Sequence, residues 1–486
     1  MDPAMINERS VVTTTHPKPT GARFGNACAT RLLSLLLLLT LPAAVRAQFN
    51  SFSIAANSAA MSFAFDGSNY LVGLESPGPP HTIGFQMISA TGTKVGSILL
   101  TGRTGIAATV AFDGTNYLTI WEDDDFGTLT NGRYHVYGQF ISKAGTAVGS
   151  AFDVSGLGIQ FDGIKPMAYG GGKYLVTYTR HIDLGGDSTR YIAGRIVNPD
   201  GTMESEHRIS TGVGKASDVA FDGANFFVVW CEDSLDQEIR GRFVSPAGVP
   251  GTEISVNAST PPSDNPNSVT FDGTNYLVVW NDEVGGAAGW DSFGQLVSTS
   301  GDLVGEPITI TSELGSQMVT SVAFDGANYL AVWAEMLSET NWDVYGQYIS
   351  RNGSRIGGKL TINADTGNQL GTVGFANDKY LVLVSSGLIL GEDGIIQVES
   401  TIGMFVMPPT ALQIQTSDAS FGVRTNRFGF NITGTSGSVI VVEACTNLAS
   451  PIWSPVDTNT LTGESSYFSD PEWTNYPSRL YRLRSP

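Results

Sequence analysis

One heptapeptide recurs along this chain and restricts its fold more than any other feature. Phe65-Asp66-Gly67-Ser68-Asn69-Tyr70-Leu71 returns as Phe112-Asp113-Gly114-Thr115-Asn116-Tyr117-Leu118, and again from Phe221, Phe271 and Phe324. Degenerate copies stand at Tyr169 and Phe375, so seven aromatic markers follow one another at intervals of 47 to 57 residues. A unit of this size cannot bury an apolar face by itself and must stack on its neighbours. The sixth copy shows the internal plan: Ser321 to Phe324, the turn Asp325-Gly326-Ala327-Asn328, Tyr329 to Trp333, then Val344 to Ser350 and Lys359 to Asn363. Gly and Asn tolerate positive φ and Asp bonds its own backbone, so the tetrad predicts a hairpin turn. Four strands per unit at this period predict the blade of a β-propeller.

The two ends of the array predict how it closes. The seventh unit has a third strand at Ile402 to Met407 but then meets Pro408-Pro409. Phe52-Ser53-Ile54-Ala55-Ala56-Asn57 matches the pattern of Ile254-Ser255-Val256-Asn257 and Leu360-Thr361-Ile362-Asn363. The expectation is an all-β chain with a seven-bladed β-propeller over residues 48–408, its N-terminal strand completing the last blade so that no edge is left open. Trp121, Trp230, Trp280 and Trp333 end the second strand of four units and read as core aromatics that fill the wedge between sheets. Gly138, Gly194, Gly241, Gly294 and Gly346 recur in the third strand, where close packing leaves no room for a side chain.

Composition agrees and removes some partners. Of 486 residues 57 are Gly and only 15% are charged, which suits a large β body with many turns. Twenty-seven basic residues face 46 acidic ones, a net charge of −19 that repels polyphosphate and anionic membranes. Nucleic acid is therefore not expected as a partner. Arg23 and Arg31, the apolar run Leu32 to Leu41 and the site Val45-Arg46-Ala47 read as a signal peptide over residues 1–47, with the mature chain starting at Gln48. The apolar run is too short to span a membrane. Export to the cell surface or medium, without a membrane span and as a monomer, is the expectation. Cys28 leaves with the signal, and Cys231 and Cys445 fall in different domains, which excludes a disulfide framework.

Beyond Pro408-Pro409 the period stops. Residues 409–486 contain Glu443-Ala444-Cys445-Thr446-Asn447-Leu448, Trp453, and the closing Arg479-Leu480-Tyr481-Arg482-Leu483. This segment resembles the small C-terminal β-sandwich modules of secreted bacterial proteins of the E-A-S-T-N-L type, with Cys445 in place of the usual Ser. The resemblance implies an accessory module that assists attachment or export. The repeats resemble those of uncharacterised secreted bacterial β-propeller proteins with F-D-G-x-N-Y-L-V-V-W units, over residues 60–407. That resemblance implies a fold and no activity.

Chemistry is expected where the loops between second and third strands emerge on one face. They carry Glu122, Asp123, Asp124, Asp125 and Phe126, then Arg180-His181-Ile182-Asp183, Glu232-Asp233, Asn281-Asp282-Glu283, Glu335 to Trp342-Asp343, and Glu392-Asp393. Three readings compete for this acidic rim. It is a solvated surface, or a Ca²⁺ site built from carboxylates, without a D-x-D-x-D-G loop, or a glycan surface on which Phe126, Tyr134, Trp290 and Trp342 offer faces to sugar rings. No Gly-x-Ser-x-Gly elbow, phosphate loop or His-Glu-x-x-His helix occurs. His181 beside Arg180 reads as a surface pair. The expected function is a secreted binding or scaffold protein whose rim engages extracellular polysaccharide or protein. The alternative is a carbohydrate-active enzyme, lyase or glycoside hydrolase, sited at the channel mouth. No catalytic residue is assigned.

Overall fold

The structure is a computed structural model that describes residues 12–15 and 49–484, apart from 78–80, 124–134, 157–158, 161–165, 184–187, 233–237, 258–262, 284–288, 392–393, 449, 462 and 464. The described residues are almost wholly β, with one short 3₁₀ turn at Trp473–Asn475. Contacts divide the chain into two compact units, 48–355 with 360–408, and 409–486 with 356–359 and 1–47.

The larger unit is a succession of antiparallel sheets, one per sequence repeat. The first runs from Ala59 to Thr104, the second from Ile106 to Asp153, the third from Ile159 to Arg208 and the fourth from Gly214 to Ser255. The fifth runs from Ser263 to Thr309 and the sixth from Gln317 to Asn363. The seventh contains Gln369–Ala376, Lys379–Ser386 and Ser400–Val406, and its fourth strand is Ser51–Ala56 from the start of the chain. Ser51 pairs with Met404 and Ala56 with Ser400. The Phe52 ring occupies the space at Gly403, where an added Cβ would lie 2.5 Å from it, as Phe152 occupies the space at Gly138 in the second sheet. Trp121, Trp230, Trp280 and Trp333 are all buried among the aliphatic side chains of adjoining sheets.

The heptapeptide now has a physical account. In five repeats the Asp Oδ1 accepts two backbone N–H groups of its own turn, as Asp272 does from Thr274 at 2.7 Å and Asn275 at 2.6 Å. Only the Gly of each tetrad takes positive φ, near 95° at Gly114, whereas the Asn supplies its backbone groups. The third and seventh repeats, which lack the Asp, turn on two left-handed residues instead, Gly171-Gly172 and Asn377-Asp378. The motif's Tyr reaches back to the turn of the preceding repeat. Tyr117 donates to the Asn69 carbonyl at 3.0 Å, Tyr174 to Asn116, Tyr276 to Asn225, Tyr380 to Asn328, and Tyr329 to Asp272 Oδ2 at 2.7 Å. Tyr70 of the first repeat makes the same contact with the seventh, donating to the Ala376 carbonyl at 3.2 Å. Where the third turn has Gly170 in place of Asp, the fourth repeat has Phe226 in place of Tyr. At that junction neither the Asp carboxylate nor the phenol is present, whereas Tyr70 keeps its phenol against the seventh turn, where Ala376 stands for the Asp and its carbonyl accepts.

The smaller unit has two four-stranded sheets around one core. Gly422–Arg424, Arg427–Thr433, Gln413–Gln415 and Ser465–Asp470 form one, and Val439–Cys445, Ser454–Thr460 and Ser478–Arg484 lie in the other. Phe428, Phe430, Phe468, Trp473 and Tyr481 fill the space between them. Val12–Thr15 pairs with Ser478–Tyr481 as the fourth strand of the second sheet. The apolar run and cleavage site read as a signal lie outside the described residues. No helix among the described residues is long and apolar enough to cross a membrane. Cys231 and Cys445 are both buried free thiols.

Candidate functional site

Successive side chains of a strand alternate in direction, so the residue two places after each core Trp shares its face. That position carries Asp123, Glu232, Asp282 and Glu335. The rim acids therefore begin as inward-facing residues at the ends of second strands, and the structure shows how each is held. Asp123 takes an ion pair from Arg103 at 3.2 Å, and the Arg103 guanidinium lies 4.0 Å from the Tyr137 ring centroid. His135, across the sheet from Asp123, bonds Asp153 at 2.7 Å. In the third sheet Arg180 pairs with Glu206, which also accepts the Tyr178 hydroxyl at 2.7 Å. In the fourth, Arg240 bridges Glu232 at 3.0 Å and Glu238 at 2.7 Å. In the first, Glu75 accepts the Ala107 backbone N–H at 3.0 Å and meets His81 at 3.3 Å.

In the fifth and sixth sheets, as in the fourth where Glu232 meets Glu238 under Arg240, the cross-strand partner of the acid is another acid. Asp282 faces Asp291, and Glu335 faces Asp343. Directly opposed side chains on one face have Cβ atoms about 4.5–5.5 Å apart, and like charges there are destabilising. Three of these carboxylates are steadied by a local donor: the Trp280 indole N–H bonds Asp282 at 3.0 Å, and that of Trp333 bonds Glu335 at 3.4 Å. Tyr345 donates to Asp343 at 3.2 Å. Burial pushes the Asp291 carboxyl above the usual range. Burial, then the charges of Asp343, Glu335 and Glu313, pushes the Tyr345 phenol up. Trp290 and Trp342, both half-buried, lie on the third strands of these same two sheets, opposite Glu283 and Met336.

Of the sequence-predicted rim residues, Glu122 is buried, and Asp123, Asp282, Asp343, Trp290 and Trp342 stand as described. Asp124, Asp125, Phe126, Tyr134 and Asp233 lie outside the described residues. His181 lies on the strand Lys173–Asp183 opposite Arg190, and its side chain is outside them as well. Sequence reasoning missed Arg103, Arg240 and Tyr345, the groups that neutralise or anchor the acids. The Trp-x-acid spacing was the available signal for their inward direction.

For Ca²⁺, the nearest donor set is Gln317, Glu335 and Asp343, which stand in one row across the sixth sheet. Two carboxylates and an amide fall short of the six to eight oxygens that Ca²⁺ takes. Among the described residues no three His, Cys, Asp or Glu side chains gather at metal-binding spacing. A cavity of about 110 Å³ lies against the first strands of four sheets, lined by Ser62, Thr109, Met167 and Thr372 with no ionisable group.

No family model matches the chain, and no curated protein matches it. Comparison with solved structures finds likenesses at very low identity and with TM-scores below 0.5. A subtype N10 neuraminidase-like protein of A/little yellow-shouldered bat/Guatemala is 9% identical, with a TM-score of 0.39, over 74% of this chain and 100% of that one. The acylaminoacyl peptidase of Pyrococcus horikoshii is 7% identical, with a TM-score of 0.43, over 77% of this chain and 58% of that one. A thermostable family-43 glycoside hydrolase is 12% identical, with a TM-score of 0.33, over 54% and 91%. Likeness at this level says nothing of activity.

Proposed function

We propose that the larger unit is a seven-bladed β-propeller closed by its N-terminal strand, that residues 409–486 form a β-sandwich accessory, and that the protein is an exported binding protein. Closure is supported by the Ser51–Ala56 pairing and by the Tyr70 contact, which joins first and seventh repeats as the other tyrosines join neighbours. The ligand surface is the rim of the fifth and sixth sheets, where half-buried Trp290 and Trp342 stand on the strand face opposite to the carboxylate pairs, and the ligand is extracellular glycan or protein.

The observation that carries binding over catalysis is the direction of the acids. Glu335 is 8% exposed and Asp343 4%, and both are committed to indole and phenol donors. A glycosidase needs two carboxyl groups flanking a substrate bond in an open site. These pairs instead lie within separate sheets.

A polysaccharide array probed with residues 48–486, with and without chelator and followed by product analysis, tests the reading. Binding without cleavage is expected, reduced by Trp290→Ala and Trp342→Ala. Cleavage products, or binding indifferent to both substitutions, would overturn it.

A further inference from the structure

The smaller unit carries a second surface that the rim reading does not use. Side chains of Arg427–Thr433 alternate: Phe428, Phe430 and Ile432 enter the core, so Arg427, Gly429 and Asn431 face outward. Tyr467 and Ser469 are their cross-strand neighbours on the same outer face. Tyr467 is 46% exposed, and its ring does not stand free. A Cβ added at Gly429 would lie 2.3 Å from the Tyr467 hydroxyl, so the phenol lies diagonally across the glycine, over the sheet. That glycine leaves room for a flat aromatic platform.

Two arginines frame the platform. Arg424 and Arg427 are directly paired across a tight turn whose central residues, Thr425 and Asn426, have φ of 46° and 59°. The turn is fixed from beneath, because the buried Trp473 donates its indole N–H to the Asn426 carbonyl at 3.1 Å. Both guanidiniums are exposed, and among the described residues neither has an ion-pair partner, whereas Arg479, Arg482 and Arg484 of the same unit do. The neighbouring carboxylate, Asp418, accepts bonds from Ser420 and from Asn431 at 2.9 Å. Like charges held face to face cost stability unless an anion sits between them. Arg424, Arg427, Tyr467, Asn431, Ser420 and Ser469 line a shallow, open depression of about 560 Å³.

We propose that this face binds an acidic glycan, with a sugar ring on Tyr467 and its carboxylate gripped by Arg424 and Arg427. The planar guanidinium fork matches a carboxylate in bidentate geometry, and the volume lies in the range of small-ligand sites. The site is independent of the propeller rim.

The test measures binding of the full chain to polygalacturonate, to a neutral polysaccharide, to a sulfated one and to polyglutamate at low salt. Polygalacturonate is expected to bind best. Arg424→Gln with Arg427→Gln and, separately, Tyr467→Ala should each weaken it at least about tenfold, the scale of a lost charged hydrogen bond. Trp290→Ala should leave it unchanged, which separates this site from the rim. Failure of the wild type to bind polygalacturonate overturns the proposal, as does undiminished binding by a double arginine variant of normal thermal stability. Preference for the sulfated polymer overturns the carboxylate assignment. Polyglutamate binding of equal strength, indifferent to Tyr467→Ala, overturns the sugar assignment.

Discussion

Substituting Tyr329 by Phe isolates the contact between repeats that the recurring motif builds. Tyr329 is fully buried and donates to Asp272 Oδ2 at 2.7 Å, while Asp272 is itself 2% exposed and commits Oδ1 to its own turn. Burial and the neighbouring carboxylate raise the Tyr329 phenol, so the hydroxyl keeps its proton and acts as donor throughout the working pH range. Removing it leaves a buried carboxylate oxygen without that donor, at a cost of about 1.5–3 kcal/mol. For a cooperative unit of about 360 residues this lowers the thermal midpoint by roughly 2–4 °C. The stronger test is a double-mutant cycle with Asp272→Gly, which reproduces the Gly170 and Phe226 combination that the chain already contains. Urea unfolding followed by tryptophan fluorescence should show the double variant losing at least about 1 kcal/mol less than the sum of the single losses, because contacting residues couple. Strictly additive losses, or a Tyr329→Phe variant as stable as the parent, would refute the account of the motif as a latch.

Two further outcomes follow from the same structure. Phe52→Ala should cost about 3 kcal/mol by emptying the space at Gly403 and Gly92, and deletion of residues 48–58 should cost more; an unchanged midpoint in the deletion would remove the case for a closed ring. In the smaller unit, burial disfavours ionised Glu443, yet Arg482 at 2.7 Å and Arg484 at 3.1 Å outweigh it and hold the carboxyl below its ordinary value. That stabilisation is present above about pH 4.3 and is lost as pH falls through the lower folded value. Both guanidiniums reach solvent, so it amounts to about 1 kcal/mol. Hydrogen exchange in Val439–Cys445 should quicken below pH 4 in the parent, and Glu443→Gln should flatten that dependence.

The sheet plan was legible because its signals are local and repeated. Turn, strand and core Trp recur at fixed offsets, so each copy corroborates the rest, and the fourth strand missing after Met407 pointed back to Phe52. The rim was legible only as composition. A run such as Glu122-Asp123 reads as solvated charge, but period-two alternation turns Asp123 to the Trp121 face, and its cation, Arg103, comes from the preceding sheet. Long-range partners of that kind leave no mark near the acid. Arg424 and Arg427 escaped notice for the opposite reason, since four residues of hairpin do not reveal that Tyr467, forty positions on, lies across Gly429.

Because the chain holds seven copies of one unit, it carries its own control for separating structure from function. A position that keeps its chemistry in most copies, such as the turn Asp or the latch Tyr, answers a need common to every sheet. A position where copies diverge is free of that need, and the rim end is such a place: Ser76, Asp123, Arg180, Glu232, Asp282, Glu335 and Ser386 occupy equivalent sites. Sheets two to four resolve the charge there with arginine or histidine, at little net effect on the field outside. Sheets five and six also oppose acid to acid, and each carries a half-buried Trp on the same third strand but the opposite face. Opposed carboxylates lower the stability of a sheet edge, and in the fourth sheet Arg240 bridges the opposed pair Glu232 and Glu238. A ligand surface accounts for a Trp that stands four residues before the third-strand Gly in these two adjacent copies and not in the others, which is why Trp290 and Trp342, rather than the acid-rich second sheet, are the residues to change first.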